Sequence, residues 1–223
     1  MNHLKKAEIT KEYKELYSLR YKVYCLEKAI LNAEDYPDKK EKDIFDAYAT
    51  HYIAMNSENG IVGTIRFIID SNSPEGLPVM DHPGISSKRI NALYCAEISR
   101  FAVAAGVRAE NIFLGFFRMI YQESIKKNIN SWILNIEPKF YYLLNDVGFK
   151  LVPLGALGQH MGNITIPAKW DLSDAEGSLR LHNPLVYEWL HDDAATVKDE
   201  KKLSYLLMPA QFSNNNVIAI AKG

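Results

Sequence analysis

The chain has 223 residues, 48% hydrophobic and 24% charged, with a formal net charge of -1. That length and composition fit one well-filled core with at most a small appendage, and the near-neutral balance argues against a dedicated nucleic-acid binder. No run of about 18 apolar residues is long enough to cross a membrane, the Met1–Lys6 start has no signal-like apolar run behind it, and Cys25 and Cys95 are too few for a disulfide framework, so a reduced, cytoplasmic protein is expected.

Thr10 is placed to cap a helix running to about Lys28, on which Tyr13, Leu16, Tyr17, Arg20 and Tyr24 share one face. Arg20 therefore points toward the core. Residues 32–42 are charged and contain Pro37, and they read as a mobile loop or a broken helix that ends at Asp43 and Asp46. A hairpin is expected next, with strands over 51–55 and 61–69 around the turn Asn56-Ser57-Glu58-Asn59-Gly60. Three prolines make 71–89 a long loop. A strand near 95–103 is broken by Gly106, and a helix rich in large apolar residues runs to about Lys127. Residues 131–137 form a further strand, and a helix starts at Pro138 and stops at Gly148. Strands are expected near 150–153 and 164–169, and a helix near 184–191. Strands mixed with helices in this order give an α/β (α+β) domain over 1–197, with 198–223 as a C-terminal extension packed on it.

The stretch Ala96-Glu97-Ile98-Ser99-Arg100-Phe101-Ala102-Val103 stands out, because a buried apolar strand rarely carries both an acid and a base. An unpaired buried polar or charged group costs several kcal/mol, roughly 2 to 7 or more. Arg66 lies in similar company within Gly63-Thr64-Ile65-Arg66-Phe67-Ile68-Ile69. Together with Arg20, Asp43 and Asp46, these residues make a candidate buried charge network.

An arginine on the first helix, a D-x-x-D pair, G-T-I-R on one strand and E-I-S-R-F on the next resemble the autoinducer-synthase and N-acyl amino acid synthase branch of the GNAT acyltransferase superfamily. The resemblance spans about Tyr17 to Trp170. It implies a central mixed, mostly antiparallel sheet that splays between the fourth and fifth strands, leaving a cleft for an acyl thioester. It also implies that Arg20, Asp43, Asp46, Arg66, Glu97 and Arg100 form the branch's charged cluster, and that Tyr24 replaces an aromatic on the amine-substrate side. Ser99 and Val103 join Arg20, Tyr24, Asp43, Asp46 and Arg66 as the expected substrate-binding set.

The chain departs from that pattern in three places. Ile30 stands where homoserine-lactone synthases carry tryptophan, which favours N-acyl amino acid synthesis over a reaction on S-adenosylmethionine. The turn Ala104-Ala105-Gly106-Val107-Arg108 lacks the glycine-rich pyrophosphate wrap of acetyl-CoA-using relatives. The implied donor is an acyl-phosphopantetheine, on acyl carrier protein in preference to coenzyme A. Leu144 replaces a tyrosine that often acts as general acid, with Tyr141 and Tyr142 nearby. The expected activity moves a medium or long fatty acyl group to the amine of an amino acid or similar small amine. The alternatives are an acyl-homoserine-lactone synthase and a non-catalytic module that binds acyl chains or their carrier. No permanently bound cofactor is implied, and the six histidines show no metal-ligand spacing.

Two roles are open to Glu97: general base for aminolysis, or ion-pair partner of Arg66 or Arg100. Regular alternation puts Glu97 and Arg100 on opposite faces; a β-bulge, as GNAT relatives have here, would bring them together and free an amide near Phe101 for the thioester oxygen. The three arginines either hold a substrate carboxylate or are occupied by Asp43 and Asp46 as a clamp. Phe113, Phe116, Phe117, Met119, Trp132 and Leu134 either line an acyl tunnel or are plain core. Arg108, Arg118, Lys126 and Lys127 are the candidate surface for an acidic carrier protein.

Overall fold

The structure is a computed structural model describing residues 3–85 and 94–191. The end of the 71–89 loop and the 198–223 extension lie outside the described residues. A short edge strand, β1 (His3–Lys6), precedes the first helix; its four residues include two lysines and carry no apolar alternation, so nothing in the sequence marks it. Helix α1 spans Thr10–Tyr21. Its start is capped by Glu12 and not by Thr10: the Glu12 carboxylate accepts from the backbone N–H of Glu8 at 2.8 Å and of Ile9 at 3.3 Å. The expected continuation to Lys28 is present as a π-helical segment, Lys22–Glu27, in which Lys28 N–H reaches back to the Val23 carbonyl at 3.0 Å. Such widened turns concentrate at functional sites.

The hairpin forms as β2 (Ala49–Met55) and β3 (Ile61–Ile69), followed across the long loop by β4 (Cys95–Val103), α2 (Ala109–Lys126) and β5 (Ser131–Ile136). Helix α3 (Pro138–Val147) ends at Gly148, whose φ of 110° favours glycine. Three further strands, β6 (Val152–Pro153), β7 (Gly158–His160) and β8 (Asn163–Asp171), lead to α4 (Leu172–His182) and α5 (Pro184–His191). Neither β7 nor α4 is evident from the sequence. Helix α4 buries Leu172, Ala175, Ser178 and Leu179, a face with too many small residues to announce itself, and Asp171 caps it through Ser173 N–H.

The strand order is β1-β2-β3-β4-β5-β8-β6, with β7 on β8. Every pairing is antiparallel except β4–β5, joined by the crossover helix α2. That one parallel pairing is brief: Cys95–Glu97 meet Ser131–Ile133, after which β5 continues on β8 while β4 runs on to Val103. The sheet is therefore split between its fourth and fifth strands.

Alternation sorts the two faces. Tyr52, Ala54, Ile65, Phe67, Ala96 and Ile98 pack with α2 in the main core, whereas Ile53 meets Leu16 of α1 on the other side. The centre of the core is aromatic. Trp132 and Trp170 are cross-strand partners with ring centroids 4.7 Å apart, and Phe117 packs edge-on to Trp132 at 4.8 Å. Trp132 also donates its Nε1–H to Ser124 Oγ at 2.8 Å. Truncating this fully buried ring, Trp132→Ala, should lower stability by about 3 to 5 kcal/mol. A urea titration read by circular dichroism checks it through a lower midpoint at unchanged slope.

Candidate active site

The site is built by a register slip. Arg66 pairs with Ser99 and Ile68 with Glu97, but one step further Thr64 pairs with Ala102, so Arg100 and Phe101 both lie opposite Ile65. This is a β-bulge, and Arg100 takes a φ of 54° to make it. Regular alternation puts Glu97 and Ser99 on the face that carries Arg66, and the bulge brings Arg100 to the same face. It also turns the Phe101 ring to the other face, edge-on to Phe113 at 5.4 Å. Tyr24, from the π-helical segment, donates its hydroxyl to the Phe101 carbonyl at 2.8 Å and so pins the bulge to the first helix.

Three arginines and three acids then form one closed network. Arg20 binds Asp46 through both terminal nitrogens (2.7 and 3.1 Å) and Glu41 through Nε. Arg66 holds Asp43 at 2.6 Å, Asp46 at 3.2 Å and Ser99 Oγ at 3.1 Å. Arg100 completes the ring with Glu41 at 3.1 Å and Asp43 at 2.8 Å. The formal charges cancel. Burial alone would raise Glu41 and Asp46, but the guanidiniums outweigh it and hold both carboxyls below their ordinary values. His51, opposite Arg66 on β2, is buried edge-on to Tyr13 and Tyr17. Burial lowers it to about 4, with Arg20 and Arg66 adding to the effect.

Glu97 stands apart from that ring. It is buried, accepts from Val79 N–H at 2.7 Å, and has no ion-pair partner within 4 Å among the described residues. Burial raises its pKa, and Arg66 and the Val79 amide offset this only in part.

Glu97 opens onto a cavity of about 200 Å³ whose walls come from both faces of the sheet. Tyr24, Lys28, Ser99, Arg100, His160 and Met161 line one part, and Phe113, Phe117, Leu134, Phe140 and Leu144 another. The cavity thus follows the split between β4 and β5, from the charged face into the aromatic core. Arg20, Asp43, Asp46 and Arg66 sit behind its wall as a clamp, each engaged with an opposite charge. Val103 packs against the main core and does not line the cavity. Phe116, Met119 and Trp132 do not line it either; Phe116 and Trp132 are fully buried structural core. Tyr141 donates its hydroxyl to the Leu151 carbonyl, and Tyr142 is exposed, so neither reaches the cavity. Arg108 and Lys126 flank opposite ends of α2, about 27 Å apart over 18 residues, Arg118 is half-buried, and Lys127 pairs with Glu123, so the four do not form one patch.

Several residues here escape a sequence reading. Glu41 lies in a charged segment that looks solvated. Lys28, Glu137, His160 and Met161 line the cavity from turns and element ends without any apolar pattern. His160 is braced by His82, whose Nδ1 accepts from Gly84 N–H, leaving Nε2–H for the Thr165 carbonyl at 3.3 Å.

A family model, N-acyl amino acid synthase FeeM, matches residues 15–152, more than half of the chain. The chain belongs to the FeeM family. The match includes the whole charged network and the bulge and stops before β7, so His160 and Met161 lie beyond it. No protein of curated function matches the sequence. Among solved structures, FeeM from uncultured soil microbes, an N-acyl amino acid synthase, superposes with a TM-score of 0.55 at 18% identity, covering 80% of this chain and 94% of that one. TofI, in a ternary complex with an inhibitor and MTA, gives 0.62 at 17% identity over 81% and 97%. BjaI, a CoA-dependent acyl-homoserine lactone synthase, gives 0.59 at 18% identity over 91% and 97%. These likenesses establish the GNAT-type fold. As a member of the FeeM family, the chain is an acyltransferase. Among the described residues no helix is long and apolar enough to cross a membrane.

The network has a pH signature. Glu41 and Asp46, lowered from ordinary values of 4.5 and 3.8, contribute stability above those values and lose it as pH falls toward their folded ones. His51, lowered from 6.5 to about 4, is protonated first in the unfolded chain and adds an earlier loss between those two values. Glu97, being raised, acts in the opposite direction in every variant that keeps it. His51→Phe should abolish the earlier loss and keep the carboxylate-driven one, as read from urea midpoints in a series descending from neutral pH.

Proposed function

We propose that the protein transfers a medium or long fatty acyl group from the phosphopantetheine of acyl carrier protein to the α-amine of an amino acid. The observation that carries this reading is the cavity itself: it joins a buried, unpaired carboxylate to an apolar channel at the point where the sheet splits. A thioester laid through that gap has its acyl chain among Phe113, Phe117 and Leu134 and its carbonyl beside the bulge. A bulged strand leaves an amide out of the ladder, and the Phe101 N–H is assigned here as the donor to the developing oxyanion. The amine nitrogen attacks the carbonyl carbon, forming the C–N bond. Glu97 takes the amine proton, directly or through a water, and the C–S bond breaks to release the thiolate, which takes its proton from solvent. Burial raises the Glu97 pKa, which makes it a stronger base than a solvated glutamate. Arg66 and Arg100 frame the site electrostatically while remaining bound to their acids.

The test is thiol release from carrier proteins of varied acyl length, offered pooled amino acids with and without S-adenosylmethionine, with products read by mass. An N-acyl amino acid formed without S-adenosylmethionine is expected. A lactone formed only in its presence, or carrier binding without any thiol release, contradicts the reading. Glu97→Gln should lower kcat at least about 100-fold, the scale of general-base loss, while carrier binding is retained. In the unsubstituted enzyme kcat should climb with pH through the elevated Glu97 value, and in the variant that limb should flatten.

A further inference from the structure

An amino-acid acceptor brings a carboxylate into the cavity, and each arginine of the site is already engaged by acids. Arg100, which lines the cavity, uses Nε on Glu41, one terminal nitrogen on Asp43 and the other on the Met161 sulfur. Pulling it onto a substrate would strand the buried Glu41 carboxylate, and breaking a buried pair by removing one partner is strongly destabilising.

Lys28 is differently placed. It lines the same cavity, and its Nζ sits over the Tyr24 ring, 5.2 Å from the centroid. The ion pairs among the described residues leave it out: Glu27 is held by Lys22, and Glu137, also on the cavity wall, lies outside ion-pair range. Burial pulls Lys28 down to about 8 and pushes Glu137 up to about 7, so both charges are under-compensated in the free enzyme. An anion held by Lys28 would repay that desolvation. Tyr24 links the ammonium to the reacting centre, since the same ring whose face carries Lys28 holds the Phe101 carbonyl through its hydroxyl. The donor phosphate is separated from the thioester by the whole pantetheine arm, which leaves the acceptor's carboxylate as the anion within reach.

We propose that Lys28 binds the carboxylate of the acceptor and sets the preference for amino acids over uncharged amines. The inference rests on the aminolysis reading above. Its test compares an amino acid with its own carboxamide as acceptors, at saturating acyl carrier protein, in the unsubstituted enzyme, Lys28→Met and Lys28→Arg. In Lys28→Met the acceptor KM for the amino acid should rise about tenfold or more, the scale of one charge-assisted hydrogen bond. Its kcat should stay within about threefold, while the carboxamide, with no anion to hold, changes little and reports that the variant is folded. Lys28→Arg should keep most of the preference. If Lys28→Met proves unfolded, Lys28→Gln serves the same comparison. An unchanged ratio of amino acid to carboxamide overturns the proposal, as does a rise in donor KM in place of acceptor KM. Absence of thiol release from the unsubstituted enzyme with every amine overturns the aminolysis reading, and this inference with it.

Discussion

A strand allows two residues to share a face only when an even number of positions separates them, and Glu97 and Arg100 are three apart. The bulge at Arg100 and Phe101 changes that parity, and much of the site follows from it. It delivers Arg100 to Glu41 and Asp43, sends the Phe101 ring into the aromatic core, and ends the even ladder with β3 close to where β5 leaves β4. A positive φ at a non-glycine residue is strained, and here it is held by interactions on both sides: the acids grip the Arg100 side chain, and Tyr24 grips the next carbonyl.

The charged ring gives that bulge its anchor. Its six formal charges sum to zero, and its members come from α1, the segment before β2, β3 and β4. Buried pairs of this kind add little net stability compared with apolar packing, whereas losing one partner is costly. Their effect here is positional: they fix α1, the π-helical segment carrying Tyr24 and its C-terminal cap Lys28 against the strand carrying Glu97. Because the arginines are engaged by the acids of the ring, Glu97 remains without an ion-pair partner next to the cavity, as its proposed role of general base requires.

Much of this was legible in the sequence where burial and charge conflict. Arg66, Glu97 and Arg100 sit in apolar strands, where an unsolvated charge is conspicuous, and the parity mismatch pointed to a bulge. Glu41 was not legible, because a glutamate among lysines and aspartates looks solvated until the chain folds over it. The aromatic wall of the cavity was legible only as a class of residue. Phe113 and Phe117 line the cavity while Phe116, one position from Phe117 on the same helix, fills the core. The edge strand β1 and helix α4 had too few large apolar residues to show a period, and Lys28 owes its place to a π-helical turn that spacing alone does not foretell.

The proposed mechanism lays an acyl thioester through the split between β4 and β5 with its carbonyl at the bulge. The most direct measurement is a crystal structure with an acyl-pantetheine analogue whose thioester sulfur is replaced by methylene. The expected result is a ketone oxygen within hydrogen-bond distance of the Phe101 amide, with the alkyl chain between Phe113 and Phe117 and the Glu97 carboxylate facing the carbonyl carbon. An alkyl chain seated outside that channel, or a carbonyl turned away from the bulge, would contradict it.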